Sequence, residues 1–354
     1  METLKNTVKR ILVIQTAFLG DAILTLPMIT RLKQKFSQSI IDVLAIPSTE
    51  AIFTTSPDVD NVYIIDKKGK HKSFRAMNKF IKQLKSNLYS TVYSPHRSIR
   101  SAYITFKLGA KNSYGFDNSS FKYAYKNIVK YDAKHHEVCR NLTLIGEGSK
   151  ETGWKSLPQI GFPEEEIKNV MIIFSLNNIE EKFIAVAPGS VWRTKRYPKE
   201  YFIELIKKII NIAKSVVLIG GNDDKILCEE IVSHFDNNVV SLAGELKVTE
   251  TIYLLKFSQL LITNDSAPTH MGMCADISVL TIYCSTVPEF GFYPYNDTSK
   301  FISFDELQCK PCGIHGYHKC PIKTFDCGKK LLPENVFKLV ENMIGYKAEN
   351  GRTN

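Results

Sequence analysis

The sequence has no long hydrophobic run. None of its 354 residues falls in an uninterrupted apolar stretch of about 18 residues or more, so no segment is predicted to span a membrane. The first segment, METLKNTVKR, contains no apolar signal region and leads directly into a predicted strand. We therefore expect the protein to remain in the cytoplasm.

Two motifs of nucleotide-binding and nucleic-acid-binding proteins are also missing. The turn after the first predicted strand lacks the GxGxxG pattern of dinucleotide-binding domains. The basic half of the chain lacks the aromatic and basic motifs of RNA-recognition modules. We expect no nucleic-acid partner, although the net charge of +10 and a cysteine cluster leave a zinc-stabilised nucleic-acid-binding protein as an alternative.

Cysteine is sparse and unevenly distributed. Four of the eight cysteines lie in one short segment, at Cys309, Cys312, Cys320 and Cys327. Four thiols can bind a structural zinc ion, but only one CxxC pair is present and the later spacings differ from those of zinc fingers. Free thiols in a reducing compartment are the default interpretation, and structural zinc is the alternative.

Length and charge indicate two domains of different character. A chain of 354 residues, 44% of them hydrophobic, exceeds the usual size of one domain. Residues 1–150 contain 24 Lys and Arg against 11 Asp and Glu, or +13, which leaves 22 against 25, or −3, for the remainder. The basic half is expected to meet an anionic partner, such as nucleic acid, a membrane surface or a phosphorylated glycolipid. Solubility alone is the competing explanation.

Short apolar runs alternate with amphipathic segments, which predicts an α/β fold in two halves with a cleft between them. The predicted strands cover 10–15, 40–46, 62–65, 89–93, 183–187, 216–219, 239–240, 260–263 and 279–283. The predicted helices include 74–88, 200–213, 249–257 and a last amphipathic helix at 331–344. Between the halves, 150–183 has little periodicity and is typical of a linker with one short strand, Met171–Phe174.

A strand, a polar turn and a helix are predicted over 260–275. Asp265 and Ser266 can cap the helix, and Pro268 suits its first turn. Such a helix start offers unpaired N–H groups and a positive dipole end, which favour an anion such as phosphate. An ordinary capped turn is the alternative.

Other turns of the second half should reach the same edge of the sheet, because they follow parallel strands. Their glycines allow backbone amides to approach a ligand, and a basic loop supplies charge for phosphates. The residues are Gly189, Ser190, Gly220, Gly221, Asn222 and Gly244, with Arg193, Lys195 and Arg196 in the loop. Together they predict a pocket for a nucleotide diphosphate.

In the first half, Ser94–Ser98 follows a predicted strand. His96 and Arg97 therefore lie where open α/β sheets bind ligands, and Arg100 is one helical turn further on. The helix at 74–88 has a basic face formed by Arg75, Lys79, Lys82 and Lys85. This face is a candidate contact for anionic lipid headgroups, with an ordinary solvated face as the alternative.

Seven segments resemble glycosyltransferase family 9, the ADP-heptose:lipopolysaccharide heptosyltransferases, in order and over nearly the whole chain. They are FLGDAILTLP at 18–27, SPDVDNVYIID at 56–66, LGAKNSYGF at 108–116, APGSVWRTKRYPKEYF at 187–202, VVLIGG at 216–221, SLAG at 241–244 and LLITNDSAPTHMG at 260–272. Several ordered motifs make this resemblance far more specific than one glycine pattern.

The resemblance implies a GT-B fold, in which two Rossmann-like domains face a central cleft. An acceptor-binding domain is expected at 1–165, a donor-binding domain at 180–330, and a helix at 331–354 that crosses back to the first domain. The implied reaction is an inverting transfer of heptose from ADP-heptose to the lipopolysaccharide inner core, either lipid A–Kdo or a heptosyl acceptor, with no cofactor or catalytic metal. The enzyme would work in peripheral contact with the inner face of the cytoplasmic membrane.

Asp21, the acid of the FLGD motif, is the general base that the resemblance implies. An inverting transfer needs one base to take the proton of the acceptor hydroxyl, and a single carboxylate suffices. From the sequence alone Asp21 is better explained as a helix N-cap, a position that would keep it ionised.

The anionic glycolipid acceptor is expected at His96, Arg97 and Arg100. For the donor, the resemblance places Lys195 on the phosphates, and it matches Asp265, Ser266, Ala267 and His270 to the donor loop. Ala267 stands where the family usually has glycine. Ser190 and Gly221, from the turn pattern, complete the predicted donor site. A transferase of another nucleotide sugar and a nucleotide-sugar-binding protein without turnover remain as alternatives.

Overall fold

The computed structural model describes residues 9–148, 153–236 and 238–345. The chain divides into two compact units, Met1–Gly161 and Phe162–Asn354. This division falls within the stretch that the sequence indicates as a linker. None of the described helices is long and apolar enough to cross a bilayer.

The described part of the first unit contains a parallel sheet in the order β3-β2-β1-β4-β5-β6. Its strands are β1 (Arg10–Ile14), β2 (Ile40–Ala45), β3 (Asn61–Ile64), β4 (Thr91–Ser94), β5 (Asn112–Phe116) and β6 (Asn127–Val129). Its helices are α1 (Leu19–Ile23), α2 (Leu26–Lys35), α3 (Glu50–Thr54), α4 (Phe74–Lys85), α5 (Ile99–Leu108) and α6 (Glu137–Thr143). The strand order changes direction between β1 and β4, and ligands of such sheets bind beyond the carboxyl ends of these two strands.

Helix α4 illustrates how sequence period determines burial in this unit. Met77, Ile81 and Leu84 recur at helical spacing and are buried in the core above the sheet. The side chain of Ser73 accepts a hydrogen bond from the N–H of Ala76 and caps the helix. The predicted basic face, formed by Arg75, Lys79, Lys82 and Lys85, is exposed.

The second unit repeats the plan with a parallel sheet in the order β12-β11-β10-β7-β8-β9. Its strands are β7 (Phe183–Ala187), β8 (Val216–Leu218), β9 (Val239–Ser241), β10 (Ser258–Asn264), β11 (Val279–Tyr283) and β12 (Lys300–Ser303). Its helices are α7 (Glu164–Leu176), α8 (Lys199–Ile209), α9 (Lys225–Val232), α10 (Val248–Leu255), α11 (Ala267–Ala275), α12 (Asp326–Lys329) and α13 (Pro333–Ile344). Here the order changes direction between β7 and β10.

The predicted strand at Met171–Phe174 is wrong, because these residues lie inside α7. A four-residue apolar run fits a strand or a helix equally, and tertiary contacts decide between them. Val170 is buried, and the amide of Asn169 donates to Oε1 of Glu250 at 2.9 Å, which attaches α7 to α10. Helix α7 begins at Glu164 and has three glutamates in its first turn.

The carboxyl-terminal helix contributes to the core of the second unit. Helix α13, which begins at Pro333, packs against α8 and β10. Val336 and Val340 are fully buried in the core of that unit. Residues 346–354 of the predicted segment lie outside the described residues.

Candidate active site

In the first unit, Gln15 organises the loop that follows β1. It is 2% exposed, and its Nε2 donates to Oγ1 of Thr25 at 2.8 Å. Its Oε1 accepts from the backbone N–H of Ala17 at 3.2 Å, and Thr25 Oγ1 donates to the carbonyl of Asp21 at 2.8 Å. A buried polar side chain at the end of an apolar strand thus fixes the backbone on both sides of α1.

Asp21 lies in the first turn of α1 and is partly exposed. Phe18 occupies the N-cap position, so the alternative assignment of Asp21 as the N-cap is wrong. Desolvation by the surrounding protein raises the pKa of the carboxyl to about 7, and the charge of Glu137 also raises it. A backbone hydrogen bond at Phe18 and the charge of Arg97 lower it. Because Asp21 is not the N-cap, it lacks the position expected to keep it ionised, and desolvation outweighs the effect of the helix start.

A buried charge network lies beside Asp21. Nη1 of Arg140 donates to Oε2 of Glu137 at 2.9 Å, and both side chains are buried. The guanidinium groups of Arg97 and Arg140 lie near the ring of Tyr131, with Cζ 4.2 Å and 4.8 Å from its centroid. Glu137 and Arg97 therefore act on the charge of Asp21 from fixed positions.

His96 and Arg97 follow β4, as predicted, and Arg100 lies in α5. The hydroxyl of Thr16, which follows β1, hydrogen-bonds to Nδ1 of His96 at 2.8 Å, and Ser101 Oγ lies 3.1 Å from the same nitrogen. This contact joins the ends of the two strands at which the sheet order reverses. Burial, Lys67 and Arg97 lower the pKa of His96 to about 4, so the imidazole is neutral at physiological pH.

In the second unit, Asn264 joins the ends of β10 and β7. Its Nδ2 donates to the carbonyl of Pro188 at 2.8 Å, and its Oδ1 accepts from the N–H of Tyr197 at 2.9 Å. Asn264 is fully buried, so both contacts form in a site of low polarity. The basic loop at 190–196 is therefore fixed relative to the predicted donor helix.

Lys195 and Asp265 form an ion pair at this position. Their Nζ and Oδ2 atoms are 2.6 Å apart, and Thr286 Oγ1 donates to the same oxygen at 2.7 Å. The carboxylate of Asp265 thus bonds to two side chains rather than to N–H groups of the helix. The expected cap from Asp265 is wrong, because a nearby cation binds the carboxylate instead.

The start of α11 offers few backbone donors. Ser266 is at the N-cap in an extended conformation, and it forms no side-chain capping hydrogen bond with the described residues; its hydroxyl donates to the carbonyl of Asn264 at 3.3 Å. Ala267 is the first helical residue and is not among the described residues with positive φ, so a Cβ is compatible with its backbone. Pro268 has no N–H, and the N–H of Thr269 donates to the carbonyl of Ser266 at 3.1 Å. The N–H groups of Ser266 and Ala267 are therefore the ones that a phosphate could reach at this helix start.

His270 lies one turn into α11 and is 4% exposed. Its Nδ1 has no hydrogen-bond partner among the described residues. Burial lowers the pKa of His270 to about 4. The imidazole is thus neutral at physiological pH and can donate or accept a hydrogen bond.

Two glycines of the second sheet edge lie close to the side chain of Asp224. A Cβ on Gly189 would lie 2.0 Å from Oδ1 of Asp224, and one on Gly220 would lie 2.7 Å from the Cβ of Asp224. The N–H of Gly221 donates to Oδ2 of Asp224 at 3.1 Å. These glycines accommodate Asp224, and of the three only Gly221 has open space where a side chain would be. The carbonyl of the predicted donor residue Ser190 accepts from Nε of Arg196 at 2.7 Å.

Residues 77–318 match the family model described as glycosyltransferase family 9 (heptosyltransferase). The chain belongs to this family. It is therefore a glycosyltransferase, as the seven sequence segments predict. The family match covers the acceptor-side residues His96, Arg97 and Arg100 and the whole predicted donor site.

This family 9 chain is similar to curated lipopolysaccharide heptosyltransferases. It is 25% identical to lipopolysaccharide heptosyltransferase 2 of Salmonella typhimurium, over 88% of this chain and 90% of the relative. It is 24% identical to lipopolysaccharide heptosyltransferase 3 of Escherichia coli, over 95% of this chain and 98% of the relative.

Solved structures agree on the fold. The ADP-heptose lipopolysaccharide heptosyltransferase II of Escherichia coli superposes with a TM-score of 0.76 at 22% identity, over 95% of this chain and 98% of that one. A heptosyltransferase from the same species, solved with ADP, superposes with a TM-score of 0.70 at 16% identity, over 94% of this chain and 99% of that one. The predicted α/β class and GT-B fold are confirmed, with a Rossmann-like sheet in each unit.

The four clustered cysteines of the family 9 chain line one cavity of about 230 Å³, together with Tyr317 and Phe325. Tyr317 exchanges two hydrogen bonds with Thr194, so this segment contacts the basic loop at 190–196. The N–H of Cys312 donates to the carbonyl of Ser285 at 2.8 Å. Among the described residues, no three His, Cys, Asp or Glu side chains are arranged to bind a metal ion. Zinc analysis decides the open question: one zinc per chain with lower stability on chelation supports a metal site, and no zinc supports free thiols.

Several site residues have no clear signal in the sequence. Gln15, Glu137 and Thr286 act through contacts with residues distant in the chain or in another element. Asn264 is visible in the sequence only as part of a polar turn. A polar residue directly after an apolar strand was the one available hint, and it applies to Gln15.

Proposed function

We propose that the protein transfers a heptose from ADP-heptose to the inner core of lipopolysaccharide, with lipid A–Kdo or a heptosyl core as acceptor. Family membership and the similarity to lipopolysaccharide heptosyltransferases support the sugar and the acceptor. The observation that carries the chemistry is the carboxyl of Asp21, whose pKa of about 7 suits a general base at neutral pH.

The reaction is a single displacement. The acceptor hydroxyl oxygen forms a bond to the anomeric carbon while the bond from that carbon to the diphosphate oxygen breaks on the opposite face. Asp21 takes the hydroxyl proton, and the departing electron pair remains on ADP. Because the attack is direct, the configuration at the anomeric carbon inverts, and neither a cofactor nor a catalytic metal is required.

The donor diphosphate binds at the start of α11 in this proposal. The N–H groups of Ser266 and Ala267 and the helix dipole interact with the phosphates, and Lys195 shares its charge between Asp265 and the leaving group. His270 supplies a neutral ring for a sugar or phosphate oxygen. Ser190 and Gly221 border the site at the ends of β7 and β8.

The acceptor is an anionic glycolipid that meets the first unit. His96, Arg97 and Arg100 lie beyond β4, where they can contact its charged groups. The exposed basic face of α4 is the surface proposed to contact anionic headgroups on the inner side of the cytoplasmic membrane. Both features match the positive charge of the amino-terminal half.

The test is an ADP-release assay with ADP-heptose and a deacylated inner-core acceptor, run beside a panel of ADP-, UDP- and GDP-sugars. Acceptor-dependent ADP release with ADP-heptose is expected, and chelators should not abolish it. Consumption of a different nucleotide sugar would replace the donor assignment. Donor binding without release of ADP for any acceptor would instead identify a nucleotide-sugar-binding protein.

A further inference from the structure

The ring of Tyr131 has a fixed position at the ends of β5 and β6. Tyr131 lies two residues after β6, and its N–H donates to Oδ1 of Asp117, which directly follows β5, at 2.9 Å. The rings of Tyr131 and Phe116 form an edge-to-face pair with 5.3 Å between their centroids, and Phe116 is fully buried. A hydrogen bond and a buried ring therefore hold the backbone and the side chain of Tyr131.

Two guanidinium groups lie over this ring, and one of them is compensated by a carboxylate. Cζ is 4.2 Å from the ring centroid in Arg97 and 4.8 Å in Arg140. Arg140 is 2% exposed, and its Nη1 donates to Oε2 of Glu137 at 2.9 Å. Its Nε and Nη2 donate to the carbonyls of Asp132 and Ala133 at 2.9 and 2.6 Å. Arg140 is thus a fixed cation whose charge is balanced inside the protein.

Arg97 is held by the ring without losing its charge. It is partly exposed, and it forms no ion pair with any residue that the structure describes. An aromatic ring attracts a cation through its quadrupole and carries no net charge, so the guanidinium of Arg97 remains uncompensated. A carboxylate in the place of the ring would also fix Arg97 but would balance its charge, as Glu137 does for Arg140.

The charge of Arg97 acts on the carboxyl of Asp21. Desolvation and the charge of Glu137 raise the pKa of Asp21, a backbone hydrogen bond at Phe18 and the charge of Arg97 lower it, and the result is about 7. Arg97 is therefore a cation that favours the ionised form of this carboxyl. The interaction depends on the distance between the two groups, so it requires that the Arg97 side chain keep its position.

We propose that Tyr131 is a positioning residue, whose ring fixes the guanidinium of Arg97 and leaves its positive charge available to the active site. This proposal rests on the proposed function for the role of Asp21 as base, and it adds a residue that acts through Arg97. Without the ring, the partly exposed Arg97 side chain can extend into solvent, and Asp21 then loses a cation that favours its ionised form. The ring carries the contact, so the hydroxyl of Tyr131 has no part in this role.

The first test follows the ionisation of Asp21 without turnover. Full-length protein is treated with a water-soluble carbodiimide and an amine over a range of pH, and the modified fraction of Asp21 is measured by peptide mass spectrometry. Carbodiimides react with the protonated carboxyl, so the labelling midpoint of the wild type should lie near pH 7. Tyr131→Leu should move this midpoint to higher pH, and Tyr131→Phe should not.

Equal midpoints in the wild type and Tyr131→Leu would overturn the proposal. Arg97→Gln keeps the ring and removes the cation, so it should also move the midpoint to higher pH. An unchanged midpoint in Arg97→Gln overturns the proposal even if Tyr131→Leu does not fold. Because no sugar is transferred, the labelling result is independent of whether ADP-heptose is the donor.

The second test is kinetic and depends on the proposed function. At pH 7, Tyr131→Leu should lower kcat/KM for the acceptor about 5-fold, the size of one cation–π contact, and Tyr131→Phe should change it less than about 2-fold. Tyr123→Leu is the matched control, because it removes an exposed ring of the same unit that lies 5.6 Å from Nζ of Lys122. A large loss of activity in Tyr131→Phe would assign the role to the hydroxyl and overturn the proposal.

A purely structural role predicts a different result. If the ring only packs on Phe116, Tyr131→Leu lowers the melting temperature and leaves the labelling midpoint of Asp21 unchanged. The double variant Arg97→Gln with Tyr131→Leu separates the remaining routes, because residues that act as a unit are not additive. Its midpoint should equal that of Arg97→Gln alone. A further shift in the double variant would show that Tyr131 acts on Asp21 by a route other than Arg97, and would overturn the proposal.

Discussion

The two units share one topology and differ in the charges at its equivalent point. In the first unit, the strand ends where the sheet order reverses carry Asp21 with a raised pKa, a neutral His96 and the arginines Arg97 and Arg100. In the second unit, the equivalent ends carry the paired Lys195 and Asp265 and the start of α11. The fold supplies two ligand-binding edges, and the polar residues that follow the strands decide the chemistry of each.

Asp21→Asn should have the largest effect, because it removes the base from the first unit and leaves the second intact. We expect kcat to fall about 10³-fold, the usual contribution of a general base, while ADP affinity measured by calorimetry stays unchanged. Glu50→Gln, a change of an exposed carboxylate in the same unit, is the control. Retained turnover in Asp21→Asn would remove Asp21 from the role of base.

Lys195→Ala tests the second unit in the same way. Donor affinity should fall about 100-fold, because the phosphates lose a cation and Asp265 is left as a buried charge without its partner. Lys199→Ala, which removes an ion pair with Glu230 outside the site, is the matched control. Unchanged ADP affinity in Lys195→Ala would contradict the assignment of Lys195 to the donor.

Substitutions on the basic face of α4 test whether the difference in charge between the two units matters for membrane binding. The double change Lys79→Gln and Lys82→Gln should weaken binding to vesicles with anionic lipid about 30-fold, since each lysine near such a surface contributes about 1 kcal/mol. Turnover with a water-soluble acceptor should not change. Lys207→Gln with Lys214→Gln, two exposed lysines of the second unit, is the control. Equal vesicle binding by both double variants would contradict a specific role for α4.

The pH dependence should show the raised pKa of Asp21. The kcat/KM of the wild type should fall about tenfold per unit below pH 7, because the protonated carboxyl cannot accept the hydroxyl proton. If kcat/KM instead begins to fall only near pH 4, the carboxyl titrates at its ordinary value.

The raised pKa of Asp21 should also change the melting temperature slightly. The folded pKa of about 7 lies above the ordinary value of 3.8, so ionisation opposes folding at high pH. Asp21→Asn should therefore melt about 2 °C or more above the wild type at pH 8. The difference should shrink as the pH falls from 7 and vanish below about 4, where both the folded and the unfolded carboxyl are protonated. A difference independent of pH would have another cause.

Local patterns predicted most elements but failed where two structures fit the same residues. The apolar run at 171–174 fits the pattern of a strand, but these residues form a helix that packs on α10. Asp265 fits the pattern of a helix cap, but its carboxylate pairs with Lys195. In each case, a partner distant in sequence decided between local alternatives.

The sequence by itself determined the alternation of strands and helices, the edge at which the candidate residues gather and membership in family 9. Periodicity, turn residues and ordered motifs are local, so they can be read along the chain. Only the tertiary structure decided that Asp21 titrates near neutrality, that Asn264 joins two strand ends and that Arg97 lies over the ring of Tyr131. Desolvation and Coulomb interactions depend on all atoms near a group in space, and these come from segments far apart in sequence.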